Sequence, residues 1–433
     1  MRLLIVLALA IACASAQNYP PLTDSVLQML SEGQTYMNAE PPDTKILLRE
    51  YDFIVVPEWK VLLIEAGQEE NIVMDIPLAA NMLHTSRGYL HPARNRRNLH
   101  VRKYSQVTRV IIDPKTKTAI GVEFERARKR YQVLARKEVI LSAGAIGSPH
   151  LLLLSGVGPK KHLQEKGVKV VKNLPVGYNL QDHVALGGLT VLINQPVSIK
   201  TDRILSNATA LNMFLTQHRG PITIPGGCEA LAFIDTKNDD PRNTDGYPDL
   251  ELLLVAGAVS SEPTLKLNFG IKNSVYDSVY RDTEALDGFM VLPMIMRPKS
   301  TGFDLDVAVA GVRKVQELIK TPAMRQLGAQ LLQTPLPGCT SMPFDSDDYW
   351  KCHARHLPFT IYHLSGSCKM GPASDRTAVV DPRLRVHGVR NLRVVDASIM
   401  PKVTASHTNA PVIMIAEKAA DMIKQDHGKR TDF

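Results

Sequence analysis

The stretch Tyr362–Ala410 opens Y-H-L-S-G-S-C-K-M-G-P and closes V-V-D-A-S-I-M-P-K-V-T-A-S-H-T-N-A. A histidine stands near each end, His363 and His407. Between them run V-V-D-P-R-L-R-V-H-G-V and N-L-R-V-V-D-A-S, a strand-like apolar run closed by small residues. Neutral imidazole accepts a proton near neutral pH without prior tuning. Two imidazoles in one pocket can share the deprotonation of an alcohol. The chain has 13 histidines, and spacing alone does not separate a pair that meets from two ordinary polar histidines.

The string as a whole decides the matter. Y-H-x-x-G-S-C-K-M-G, then V-V-D and N-L-R-V-V-D-A-S, then S-H-T-N-A-P resembles the C-terminal active-site segment of the glucose–methanol–choline (GMC) oxidoreductases. These are FAD-dependent alcohol dehydrogenases and oxidases, and the wording is nearest their arthropod glucose dehydrogenase branch. S-A-G-A-I-G-S-P-H-L-L-L-L-S-G-V-G-P, from Ser142, resembles a second motif of the family, and Val176–His183 a third, in which His183 reads as structural.

The resemblance implies an α/β (α+β) fold. A discontinuous FAD/NAD(P)-binding Rossmann-like domain, incomplete here, would carry an inserted antiparallel-sheet substrate domain. It implies FAD as cofactor, a glucose- or choline-like alcohol or sugar as substrate, and a quinone or oxygen as electron acceptor. His407 would be the general base and His363 would polarise the same hydroxyl, or the reverse. Glu65, Val107, Ala143, Gly144, Asp396, Ala397, Thr408, Asn409 and Ala410 would line the cofactor. The expected divisions are a signal peptide over 1–16, FAD-binding parts over 45–184 and 362–433, and a substrate domain over 185–361.

Departures from the family pattern are concentrated near the start. Y-D-F-I-V-V (51–56) and V-L-L-I-E-A-G (61–67) read as buried strands, the second ending at Glu65, an acid suited to ribose hydroxyls. A dinucleotide site needs a glycine-rich turn and a helix between two such strands, and parallel neighbours need a crossover of about a dozen residues. Only P-E-W-K lies between Val56 and Val61, which permits a hairpin that reverses the second strand. By comparison with the family, segments are also missing after Thr85 and between Lys299 and Phe303. Two competing readings follow: a secreted, catalytically inactive homologue that holds no FAD, and a sugar-binding module without redox chemistry.

Composition is that of a globular chain of two or three domains: 433 residues, 44% hydrophobic and 22% charged. Met1-Arg2, the apolar run Leu3–Ala12 and Ala14-Ser15-Ala16 predict a secretory signal cut after Ala16. No later stretch is apolar and long enough to span a bilayer. An exported protein can form disulfides, and Cys339 and Cys352 could close a small loop. A zinc set of Cys352, His363 and Cys368 lacks a paired C-x-x-C knuckle. Asn207-Ala208-Thr209 is a glycosylation sequon. The net charge of +8 gathers between Arg94 and Lys137, among strand-like aliphatics rather than the aromatics that nucleic acid requires. It reads as a solvated sheet face.

Between Leu99 and Ser142 a meander turns at Asp113–Thr116. Ser148 is predicted to cap a helix with Pro149 at its first position. Asp304 is predicted to cap a helix bearing the stripe Leu305, Ala308, Val312, Val315 and Ile319, Asp345 and Ser346 to start another, and Pro411 to open the last, with Val412, Ile415, Ala416, Ala419 and Ile423 inward.

Overall fold

The apolar, β-branched run after Glu50 has too little periodicity for a one-sided strand, and it lies inside a sheet. The structure is a computed structural model. It describes residues 43–44, 47–57, 60–64, 89–90, 92–217, 219–220, 223, 227–236, 247–298 and 302–428. The signal segment, Glu65 and the junctions after Thr85 and Lys299 lie outside the described residues. The chain divides into two units, one of Met37–Asp182 with Tyr362–Phe433 and one containing His183–Ile361.

The first unit is built on a sheet. β1 (Glu50–Pro57), β2 (Lys60–Ile64) and β3 (Leu99–Lys103) lie on one side of β6 (Lys129–Ser142); β5 (Thr118–Arg126) and β4 (Gln106–Asp113) lie on the other. β1 runs parallel to the second half of β6, with Ile54 opposite Val139 and Val56 opposite Leu141. β1 and β2 are antiparallel, Ile54 facing Leu63. β2 therefore runs back against β1, as the short linkage between the two strands requires. β4 and β5 meet at the predicted turn, where Asp113 Oδ1 accepts from the backbone N–H of Lys115 and Thr116.

After β6 comes α1 (Gly144–Leu154), and it starts earlier than predicted. Ser148 lies inside the helix rather than at its cap. Pro149 removes the N–H that would serve Ala145, and the Ser367 hydroxyl donates to the Ala145 carbonyl instead, at 2.6 Å. Local capping rules failed because a distant segment satisfies this helix. A two-residue parallel pair, β7 (Val157–Gly158) with β8 (Lys172–Asn173), brackets α2 (Lys160–Glu165).

The second unit is a mostly antiparallel sheet formed by β9 (Val184–Leu186), β10 (Thr190–Ile193), β11 (Cys228–Ile234), β12 (Leu250–Val255), β13 (Asp287–Ile295), β14 (Gln330–Leu331) and β15 (Pro358–Thr360). β12 and β13 are buried along nearly their whole length. β11 is an edge strand, exposed on both faces, with Leu231 and Phe233 each 48% exposed. The short helices α3 (Thr201–Leu205), α4 (Ala208–Gln217), α5 (Pro263–Asn268) and α6 (Asn273–Val279) join the strands.

The long α7 (Gly302–Ile319) buries Ala308, Val312 and Val315 as the stripe predicts. It begins at Gly302, so Asp304 is an acid within the first turn rather than the cap. After α8 (Pro322–Gln326), α9 (Asp347–His356) is capped by Ser346, whose hydroxyl accepts from Tyr349 N–H. Cys339 and Cys352 form a disulfide, which removes Cys352 from the zinc set.

The chain then returns to the first unit. β16 (Leu392–Val394) adds to β6 in parallel, and α10 (Asn409–Asp426) follows. α10 starts two residues before Pro411 and buries Ile415, Ala419 and Met422. Ala416 is exposed, contrary to expectation: one step round the helix from Ile415, it falls outside that stripe.

β16 carries a fully buried cation. Arg393 Nε and Nη2 donate to the two Glu138 oxygens at 2.5 and 2.9 Å, and Nη2 also reaches Asp426 at 2.6 Å. His427 Nε2 lies 2.8 Å from Glu138. Burial pushes the Glu138 carboxyl up, but Arg393 and His427 outweigh it and hold it below the ordinary range. A depressed carboxyl contributes stability above its unfolded pKa and loses it as pH falls through the folded value. Arg393→Met leaves Glu138 buried without its partner. Chemical denaturation at neutral pH should show a loss of about 3–5 kcal/mol. That loss should shrink as the medium is acidified.

Candidate active site

His363 and His407 come together. Their ring centroids are 5.0 Å apart and the planes are nearly perpendicular, at 88°. His363 is buried and His407 half-buried. Each histidine reaches this place through a different loop, and the two loops are laced to each other. Gly366 N–H donates to Ala397 O, Cys368 N–H to Ser398 O and Met370 N–H to Ile399 O, at 2.8 to 3.1 Å.

A third segment ties them. Asn179 Nδ2 donates to the carbonyls of Gly366 and Pro401, one on each loop, at 3.1 and 3.2 Å. Gln181 Nε2 donates to Pro401 O, and its Oε1 accepts from Val403 N–H. Gln181 also exchanges two backbone hydrogen bonds with Ser365, and Asp182 accepts from His363 N–H at 3.0 Å. Gly366 has φ +83°, and a Cβ there would come within 2.5 Å of Asn179 O. The glycine is what admits this strap.

Asp396 is the hub behind the pair. Its Oδ2 accepts from Gly144 N–H at 3.0 Å and from the Ser148 hydroxyl at 2.5 Å; its Oδ1 accepts from Ser398 N–H. The carboxylate therefore sits at the positive end of α1. Burial pushes its carboxyl up against these bonds. Cys368 is fully buried near Asp396, and burial raises its thiol well above the usual range, which marks it as inert. Ala143, Gly144, Asp396 and Ala397 are thus brought together. Thr408, Asn409 and Ala410 form the start of α10, which has no side-chain cap and no acid in its first turn. Val107 is a buried core valine of β4, opposite Phe124. Glu65 lies outside the described residues.

The sequence matches two family profiles, both described as GMC oxidoreductase, over residues 81–185 and 287–416. The chain belongs to the GMC oxidoreductase family. It is 36% identical over 374 residues to glucose dehydrogenase [FAD, quinone] of Drosophila melanogaster, covering 80% of this chain and 56% of that one. It is 35% identical over 347 residues to the mitochondrial choline dehydrogenase of Homo sapiens, covering 78% and 55%. The chain therefore spans little more than half the length of these curated relatives. Its fold is shared by a formate oxidase of Aspergillus oryzae, with TM-score 0.62, 24% identity, 79% of this chain and 63% of that one. A pyridoxine 4-oxidase from Mesorbium loti gives 0.59, 24%, 80% and 62%.

The family cofactor fits one part of this site and not another. Beside Gly144 a Cβ would meet nothing within 4 Å, so the turn opens onto space. The buried hydroxyls of Ser365 and Thr404 have no partner, which leaves donors for a polar ligand. The start of α10, which has no side-chain cap, offers the N–H groups of Asn409 and Ala410. At β1 the fit fails. The antiparallel β1–β2 pair replaces the strand–turn–helix that would present a helix N-terminus to a pyrophosphate.

Sequence reading found the histidines but passed over the strap. Its signal was an amide pair, Asn179 and Gln181, in the motif Val176–His183, and only their partners give it meaning. His183, in the other unit, is fully buried with Nε2 3.2 Å from Met296 O, as a structural histidine should be. Asn179→Ala should release the loop carrying His407. Amide hydrogen exchange at Val403 and its neighbours should accelerate while the rest of the unit stays protected. An unchanged exchange pattern would show that the strap does not set the loop.

Proposed function

We propose that this chain carries the catalytic part of an FAD-dependent oxidoreductase acting on the CH–OH group of a small alcohol or sugar. The observation that carries the reading is the edge-to-face pair His363–His407. A hydroxyl oxygen seated beside such a pair can lie within hydrogen-bond reach of a nitrogen of each ring. His407, on the less buried loop, takes the hydroxyl proton. His363, held by Asp182 through its backbone, polarises the same oxygen and orients the carbon. The strap through Asn179 and Gln181 keeps the two rings from drifting, which matters because a misplacement of about 1 Å costs roughly a hundredfold in rate. FAD, when bound, supplies the acceptor for the hydride. A quinone is the proposed final acceptor, with oxygen as the alternative; the quinone has the support of the printed name of the Drosophila relative. Export from the cell is proposed from the start of the sequence, and the Cys339–Cys352 disulfide is consistent with it.

With flavin-loaded protein, His407→Ala should lower alcohol-dependent reduction of a quinone dye by about 10²–10⁴-fold. An undiminished rate would remove His407 from the base role.

The antiparallel β1–β2 pair favours a second reading, an inactive homologue that holds no FAD. The colour of the purified protein separates the two. On the enzyme reading, incubation with FAD and gel filtration should leave a yellow protein with flavin near one per chain. A colourless protein would establish the second reading.

A further inference from the structure

Away from the histidine pair, the first unit carries two adjoining cavities of about 860 and 720 Å³ that share His387 and Gly388. Lys160, Lys161, Lys172 and Arg376 line the first against one acid, Asp375; Lys117, Arg385, Arg390 and Arg393 line the second against Glu138, Asp381 and Asp426. The four acids are engaged by Lys369, Arg385 and Arg393, which leaves six cations. Asp375 is held by Lys369 at 2.8 Å, Asp381 by Arg385, and Glu138 and Asp426 by Arg393. Among the described residues, only Lys161 of the six cations has a carboxylate within 4.0 Å, the exposed Glu165, a contact of little strength.

Two of the six are placed rather than merely present. Arg390 is fixed by neutral acceptors, Thr118 Oγ1 at 3.1 Å and Thr116 O at 3.2 Å, so it is oriented while its charge is unspent. Lys172 lies across Gly388, where a Cβ would come within 2.8 Å of its Nζ, at the residue the two cavities share. The glycine leaves room for the ammonium at the junction. Tyr178, 76% exposed, is the one Phe, Tyr or Trp among the described residues lining either cavity.

We propose that this pair of cavities is a binding track for a linear sulfated or carboxylated polysaccharide. A compact anion would need only one cavity, whereas cations on both sides of a shared junction suit charges repeated along a chain. Four of the six are lysines, point charges that take sulfate without demanding the planar fork geometry of arginine. One exposed tyrosine provides a face for a sugar ring. A nucleic acid would require several aromatics to stack successive bases, and the track has one. The inference is independent of the redox reading.

The test is binding of a fluorescein-labelled heparin octasaccharide to the full chain, followed by anisotropy across a salt series. A neutral dextran oligosaccharide and a single-stranded oligothymidylate of similar length serve as comparators. The heparin fragment should bind, more weakly as salt rises, and the dextran should not. Lys172→Glu should weaken binding by about tenfold or more, the loss of one charge-assisted contact. Lys172→Gln should give a smaller loss in the same direction, guarding against a folding defect in the charge reversal. Lys320→Glu, which makes the same charge change outside the cavities, should leave binding within about twofold. Equal weakening by Lys172→Glu and Lys320→Glu would reduce the effect to net charge and overturn the site. Equal or tighter binding of the oligothymidylate would overturn the ligand class, and absence of heparin binding would overturn the proposal outright.

Discussion

A buried guanidinium with two carboxylates holds the first unit in its working arrangement. β16 is three residues long, too short for backbone pairing with β6 to fix it alone. Arg393 adds what the ladder lacks. It bonds to Glu138 on β6 and to Asp426 near the end of α10, and His427 closes the cluster against Glu138. Each charge was taken from water at a cost that only a complete set of partners offsets. The set is complete, and it pins both ends of the returning segment. Asp396 then meets α1 three residues after Arg393, and the His407 loop is suspended between β16 and α10. The geometry of the histidine pair is downstream of an ion cluster that takes no part in its chemistry.

Much of this was legible because the signals were local. The strands β1 to β6, the turn at Asp113, the stripe of α7 and the Ser346 cap all follow from residues close in sequence. The short P-E-W-K connection dictated a reversed β2 for a purely geometric reason, and β2 is reversed. The failures share a cause. The start of α1 was misplaced because its cap, Asp396, and the group that satisfies Ala145, Ser367, lie more than two hundred residues further along. Arg393 stood in what read as an apolar strand, and nothing beside it announces Glu138. Ala416 is expected inward with Val412, Ile415 and Ala419, and the packing of α10 leaves it on the exposed side of that stripe. The meeting of His363 with His407 came from the wording of a motif, since no periodicity connects them.

The expected cofactor site divides along the same line. Its second half, around Asp396, Gly144 and the start of α10, is assembled by contacts within the returning segment and α1. Its first half depended on a crossover between two strands, and the hairpin at β1 replaces it. The histidine pair and the β1–β2 segment, where the family's nucleotide loop is expected, are thus built by separate parts of the chain. Loss of one leaves the other's local geometry standing, which is why a complete histidine pair and an altered β1–β2 connection coexist in one unit.

β11 bears on a different matter. Among the described residues its backbone pairs on one side only, with β12, and its side chains are exposed on both faces from Cys228 to Phe233. Natural edges are usually guarded by lysine, proline or a covering helix, and the run C-E-A-L-A-F-I carries only Glu229 against a sticky border. Such a strand is a template for its own kind: a second copy can continue the ladder and cover Leu231 and Phe233 at once. A single lysine introduced among these seven residues would guard that border, at a place remote in sequence from both histidines.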